Sequence, residues 1–325
     1  MVKQATREPT DMAGSKSVVL AALVANGAIA VLKFGAFLLT GSPSMLSEVY
    51  HSISDTGNQV FLLVGIRYSG RAADQDHPFG YGKAQFFYSF LVSVLLFGIA
   101  GWESVKHGYE AILHPHAGTV DPITLLGVGP FPAWYVSVVV LLGAIGFETY
   151  AFVKANAELQ RQISQYGWSG IPEAFKKTSD VTTLTAYTED TIALLGAGLA
   201  LGGILLTQFT GNPIYDAVTA LLIGLMLMGF AVALAWENKR LLLGESLEPE
   251  VEAELRDVIV AHEGVRHVDG FRTMFVGPAQ ALVTAEVSFD PDLLTDGIDK
   301  AIGQIKTKLK EADDRVDIVY IEPEG

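Results

Sequence analysis

A chain of 325 residues, half of them hydrophobic, with a positive mean hydropathy, is too apolar for one ordinary soluble domain and points to the membrane class. Its formal charge is −14, and from Glu245 onward nineteen Asp and Glu face eight Lys and Arg. Such a tail repels nucleic acid and anionic lipid and attracts cations, or is simply the solvated surface of a domain from an acidic proteome. The absence of Cys excludes disulfides and thiolate ligands, so any metal chemistry falls to His, carboxylates and amide or backbone oxygen.

Residues 1–15 are polar and do not resemble a cleaved signal; they read as a short cytoplasmic N-terminal segment. A transmembrane domain is expected over 16–240. Six apolar stretches there approach or exceed the roughly 20 residues a bilayer core requires: about Val18 to Thr40, Ser44 to Tyr68, Phe86 to Glu103, Ala133 to Val153, Leu184 to Leu206 and Ile214 to Trp236. Turn signals such as Gly41-Ser42-Pro43 and Thr210-Gly211-Asn212-Pro213 separate two of the pairs. Cations gather before span one (Lys3, Arg7, Lys16), between two and three (Arg67, Arg71, Lys83), after four (Lys154, Arg161, Lys176, Lys177) and after six (Lys239, Arg240). The alternate loops carry only Lys106, so the positive-inside rule places both termini in the cytoplasm.

Beyond the last span the long apolar runs stop, and 246–325 reads as a cytoplasmic α+β domain. The expected elements are a helix over Val251 to Ala261, strands over Val268 to Phe275 and Ala281 to Phe289, a helix over Asp296 to Lys310 and a strand over Val316 to Ile321. Val283, Ala285, Val287 and Phe289 alternate with Thr284, Glu286 and Ser288, as in a sheet with one buried face. The order suggests a ferredoxin-like, split βαβ domain. The whole is therefore read as an α-helical membrane protein: a six-transmembrane-helix bundle followed by that domain.

Polar residues inside the spans carry the functional signal. An ionisable group near the bilayer centre costs on the order of 2.5 to 3.5 kcal/mol even on a lenient scale. Span two nevertheless holds Glu48, His51, Asp55, Asn58 and Gln59. His51 and Asp55, four apart, share a helix face on which an imidazole nitrogen and a carboxylate oxygen can converge on one metal ion. Glu48, Asn58 and Gln59 also fit headgroup-level or helix-packing roles. Span five opens on Tyr187-Thr188-Glu189-Asp190; the two acids are either cation ligands or helix-start residues favoured by the dipole. Lys33 of span one either snorkels or pairs with a bundle carboxylate.

Elsewhere the signals are weaker. Asp74-Gln75-Asp76-His77 opens a loop that suits either a small exposed metal site or a helix entry anchored by Lys83. His114 and His116 flank a proline and need no ligand. His262-Glu263-Gly264-Val265-Arg266-His267 only superficially looks like a zinc protease signature: its histidines are five apart and Gly264 breaks the helix, so no enzyme is read here.

Taken together, Glu48-Val49-Tyr50-His51-Ser52-Ile53-Ser54-Asp55, the loop His77-Pro78-Phe79-Gly80-Tyr81-Gly82-Lys83-Ala84, Glu189-Asp190, and Glu237-Asn238-Lys239-Arg240-Leu241-Leu242-Leu243-Gly244-Glu245 resemble the cation diffusion facilitators, the zinc-transporter family of metal/proton antiporters. Residues 155–180 and the Glu-Asp pair look most like the mitochondrial-type branch with its prokaryotic relatives. The resemblance implies export of zinc, or of manganese, iron or cobalt, in exchange for protons by alternating access, in a homodimer without a cofactor, embedded in the plasma membrane of a prokaryote.

It also implies a tetrahedral site with His51, Asp55 and Asp190 as ligands. The usual fourth, a His, is Ala186 here, leaving Glu189 or water. Asp74 and His77 match a secondary site whose usual His is Tyr81, and Glu286 stands where many members have His. The alternative is a membrane metal sensor or scaffold that binds the ion without flux; a channel is a third reading.

Overall fold

The structure is a computed structural model and describes residues 9–114, 123–125, 128–178 and 180–324. It divides into two compact units. One comprises residues up to 64, 89–171 and 182–235; the other comprises 65–88, 172–181 and 236–325.

The first unit is built from long helices: α1 (Pro9–Thr40), α2 (Pro43–Ser69), α3 (Ala84–Leu95), α4 (Trp102–Leu113), α5 (Trp134–Tyr166), α7 (Val181–Thr210) and α8 (Ile214–Leu243). A π-helical turn, Leu96–Gly101, joins α3 to α4 without a break in the helix, the kind of local insertion that redirects a helix face. Five of the resulting helices are both long and apolar enough to cross a membrane. α2 matches them in length at 27 residues, and its ionisable residues set it apart. Third in the chain, the helix runs ten residues past Glu103, and a short antiparallel hairpin, β1 (Ile123–Leu125) with β2 (Val128–Phe131), follows it. His116 lies outside the described residues.

α5 extends 13 residues beyond the apolar stretch because Leu159 and Ile163 continue its buried face. It stops at Gly167, which takes the left-handed conformation while the Trp168 N–H closes on the Ile163 carbonyl. Small residues let the helices touch. A Cβ on Gly108 would stand 2.4 Å from the Leu221 nitrogen, and one on Gly224 would stand 2.5 Å from that of Val105, so α4 and α8 meet backbone to backbone.

In the second unit α6 (Ile171–Lys177, from residue 172) precedes α9 (Pro249–Val260), β3 (Val265–Gly277), β4 (Gln280–Phe289), α10 (Thr295–Ala312) and β5 (Val316–Glu324). The sheet order is β3-β4-β5. β3 pairs with β4 antiparallel, and α10 carries the chain across to β5, parallel to β4 and directly beside it. This is an α+β layout with three strands. Val283, Ala285, Val287 and Phe289 are buried, as their alternation predicts, and Ala301, Ile305 and Leu309, four apart along α10, cover them. Arg315, buried before β5, forks onto Asp313 and Glu248. The residue 74–83 loop is tight against the β3–β4 turn: a Cβ on Gly82 would lie 2.5 Å from the Val276 carbonyl oxygen.

Candidate metal centre

α2 carries the centre, and its start is closely specified. Ser42 precedes the helix, its hydroxyl accepting the Met45 N–H at 3.2 Å, with Pro43 at the first helical position. Ser44 donates its hydroxyl to Asp216 at the head of α8, and Asp216 N–H is held by Thr207 of α7 at 3.1 Å. α2 therefore enters the bundle at a position set by two other helices.

Downstream, α2 presents a line of acceptors. His51 is 1% exposed and neither of its ring nitrogens has a hydrogen-bond partner. Asp55 Oδ1, buried and equally without a hydrogen bond, lies 3.5 Å from His51 Nδ1. Glu48 Oε1 and Gln59 Oε1 are in the same condition. Residues 48, 51, 55 and 59 are spaced three, four and four apart, so these atoms follow one helix face for three turns, roughly 16 Å. A buried acceptor with no donor costs about 1–3 kcal/mol, more when charged; four along one face is a pattern that a cation relieves.

Other helices add charge. Asp55 interacts electrostatically with Glu148 of α5, Lys33 of α1, Glu48 and Asp190 of α7, and Glu189 does so with Asp55, Asp190 and Glu148. Glu189 and Asp190 are half-buried, and Thr185 Oγ1 on the same helix is buried without a hydrogen bond. Among the described residues no three His, Asp or Glu side chains converge closely enough to hold a metal ion. The structure brings His51 and Asp55 together and leaves the two α7 acids within electrostatic range only.

Two residues complete the picture. Glu148, 7% exposed, was missed in the sequence, although a lone carboxylate inside the apolar helix α5 is the same signal that singled out His51 and Asp55. Lys33 does not snorkel: fully buried, it donates to Glu48 Oε2 at 2.7 Å and to Ser52 Oγ at 2.9 Å. Glu48 is accordingly buried and paired, as a helix-packing residue would be.

The second unit holds the Asp74–His77 pair. His77 Nδ1 is 3.7 Å from Asp74 Oδ1, and both side chains are half exposed. Asp74 is already engaged. Oδ2 accepts the Tyr81 hydroxyl at 2.6 Å, and Oδ1 accepts the backbone N–H groups of His77 at 2.8 Å and Asp76 at 3.1 Å. The Tyr81 hydroxyl is the main cause holding the Asp74 carboxyl below its usual range, and the same bond pushes the Tyr81 phenol up to about 12. The His77 ring stacks on Tyr81 at 4.1 Å. Glu286 accepts from Arg272 at 2.8 Å. His262 is bound on both ring nitrogens, by the Glu263 carbonyl and the Gln304 amide oxygen, a structural histidine.

Residues 19–243 match the cation efflux transmembrane domain. Over 282 residues the chain is 32% identical to the mitochondrial proton-coupled zinc antiporter SLC30A9 of Homo sapiens, covering 87% of this chain and 47% of that protein. It is 26% identical over 302 residues to metal tolerance protein C4 of Arabidopsis thaliana, covering 93% and 63%. To the cation-efflux pump FieF of Klebsiella pneumoniae (strain 342) it is 26% identical over 266 residues, covering 82% and 78%. The chain thus spans about half the length of the human relative. With most of its length matched by that transmembrane domain, the chain belongs to the cation efflux family, the cation diffusion facilitators.

Proposed function

We propose that this chain is a secondary transporter that exports a divalent metal cation, zinc foremost, in exchange for protons. The observation that carries the reading is the row of buried acceptors without hydrogen bonds along α2, with His51 and Asp55 at its centre. A static scaffold has no use for such a row, whereas an ion that arrives and leaves needs acceptors committed to nothing else.

In this reading His51 and Asp55 receive the ion, and Asp190, with Glu189 or water, closes the shell from α7. An imidazole is the side chain whose ordinary titration falls near neutral pH, and proton and metal compete for its lone pair, so loading expels a proton and reprotonation expels the ion. Helix rocking about this site supplies alternating access. The zinc and proton of the human relative's name support the choice of substrate; imidazole-plus-carboxylate ligation also accommodates manganese, iron and cobalt. Asp74 and His77 form an accessory station that sets rate rather than permitting transport, because Tyr81 already occupies the carboxylate. Both termini lie in the cytoplasm of a prokaryote, and the chain works as a homodimer.

Purified protein in liposomes with an entrapped zinc-sensitive dye tests this. A pH step should drive zinc uphill, and His51→Ala, Asp55→Asn and Asp190→Asn should each abolish the flux while the protein remains inserted. Zinc binding without flux would favour the sensor or scaffold; flux that never runs uphill would favour a channel.

A further inference from the structure

The row of acceptors on α2 does not run free to its end. At Glu48, nearest the α1–α2 turn, one carboxylate oxygen remains without a hydrogen bond while the other is held by Lys33. We propose that Lys33 is a built-in counter-cation: its ammonium, tethered on α1, balances the carboxylates of the metal site and sets how tightly the divalent ion is held. This deepens the transport reading above and rests on it.

Three observations support the assignment. Among the described residues of the first unit, Lys33 is the one buried cationic side chain, and the carboxylates it interacts with, Glu48, Asp55 and Glu148, are buried as well. Its location is built rather than incidental. The ammonium meets Glu48 and Ser52, which bracket His51 in the sequence, and Glu48 packs closely on α7 at Gly196, where a Cβ would stand 2.7 Å from Glu48 Oε1. Finally, Lys33 interacts electrostatically with Glu48, Glu148 and Asp55 on two other helices, so its charge is felt at the ligands and not only by its partner.

A fixed positive charge beside an ion-binding site has a definite sign. It lowers the affinity for a divalent cation, which keeps a carboxylate-rich pocket from trapping its cargo. Glu48 has the opposite sign and partly screens Lys33. Like charges in a buried site repel more strongly than in water, and side-chain and water rearrangement offset part of this, so effects of about tenfold in affinity are expected.

The test is zinc binding by calorimetry on purified, detergent-solubilised protein, in parallel with proteoliposome flux. Lys33→Met should tighten zinc binding by about tenfold and slow release. Glu48→Gln should weaken binding by a similar factor, and the double variant should return toward the wild-type affinity. Lys33→Arg, which keeps the charge, should bind as wild type does. A purely structural Lys33 predicts instead that Lys33→Met and Glu48→Gln shift affinity in the same direction or not at all, which would overturn the proposal. If Lys33→Met does not insert, Glu48→Gln alone decides: unchanged or tighter binding refutes the idea. Binding that follows the opposite-sign pattern in a protein that moves no zinc would instead sink the transport reading and leave the counter-cation standing.

Discussion

In the proposed site Ala186 stands where the resemblance to the cation diffusion facilitators implies a His, and Glu189, three positions on, is the candidate for the fourth ligand. If Glu189 supplies it, the shell has one imidazole and three carboxylates, a harder set than two imidazoles provide. Glu189→Gln should then impair transport nearly as much as Asp190→Asn, leaving little or no flux, and Ala186→His should shift selectivity from manganese and iron toward zinc; competition among these ions in proteoliposomes checks both. A harmless Glu189→Gln alone would leave water as the fourth ligand; if Ala186→His also leaves selectivity unchanged, this face of α7 does not meet the ion. At Tyr81 the prediction concerns protons. Because its hydroxyl holds the Asp74 carboxyl down, the bond contributes stability above the ordinary carboxylate range and loses it as pH falls through the depressed value. On the tyrosine side the contribution lasts until pH rises through about 12. Tyr81→Phe should raise the Asp74 titration toward its usual range, read by carbon NMR of the side-chain carboxyl; an unmoved midpoint would show that the backbone N–H bonds suffice.

Among the elements, α4 and α8 are joined by contact that leaves no room for side chains at Gly108 and Gly224. Gly224→Leu should therefore force the pair apart and lower the thermal midpoint of the detergent-solubilised protein, whereas Gly229→Ala, where a Cβ meets nothing within 4 Å, should be neutral. α10 offers the soluble counterpart. Leu309 is fully buried against the sheet, so Leu309→Ala should cost about 2–5 kcal/mol, measurable as a lowered denaturation midpoint of the C-terminal domain. α2 differs from both: its identity is that of a helix whose buried face is polar, and its fixed start through Ser42, Ser44 and Asp216 keeps that face in register.

For the whole molecule, the proposed topology makes a reporter fused after Glu245 cytoplasmic; an extracytoplasmic signal there would reverse the orientation drawn from the cation-bearing loops. Residues 246–325 contain the sheet, both covering helices and the Arg315 ion pairs, and should unfold cooperatively when expressed alone. The same core also takes Phe86 and Leu241 from outside that segment, so the isolated piece should melt at a lower temperature than it does within the full chain.

Hydrophobic length and period carried much of the architecture. Runs of apolar residues near 20 mark helices whatever surrounds them, and the alternation of Val283, Ala285, Val287 and Phe289 placed β4 and its buried face, because both signals arise from local geometry repeated along the chain. His51 and Asp55 were legible for the same reason, being two costly residues one turn apart on one helix. The partners of those residues were not. That Lys33 turns inward to Glu48, that Glu148 of α5 comes within electrostatic range of Asp55, and that Tyr81 claims the carboxylate of Asp74 all depend on which side chains face one another, across helices in the bundle and across the fold of the loop. Sequence spacing fixes direction along one helix. Only packing decides which charge meets which, since the cost of burying each alone is settled by the group opposite it.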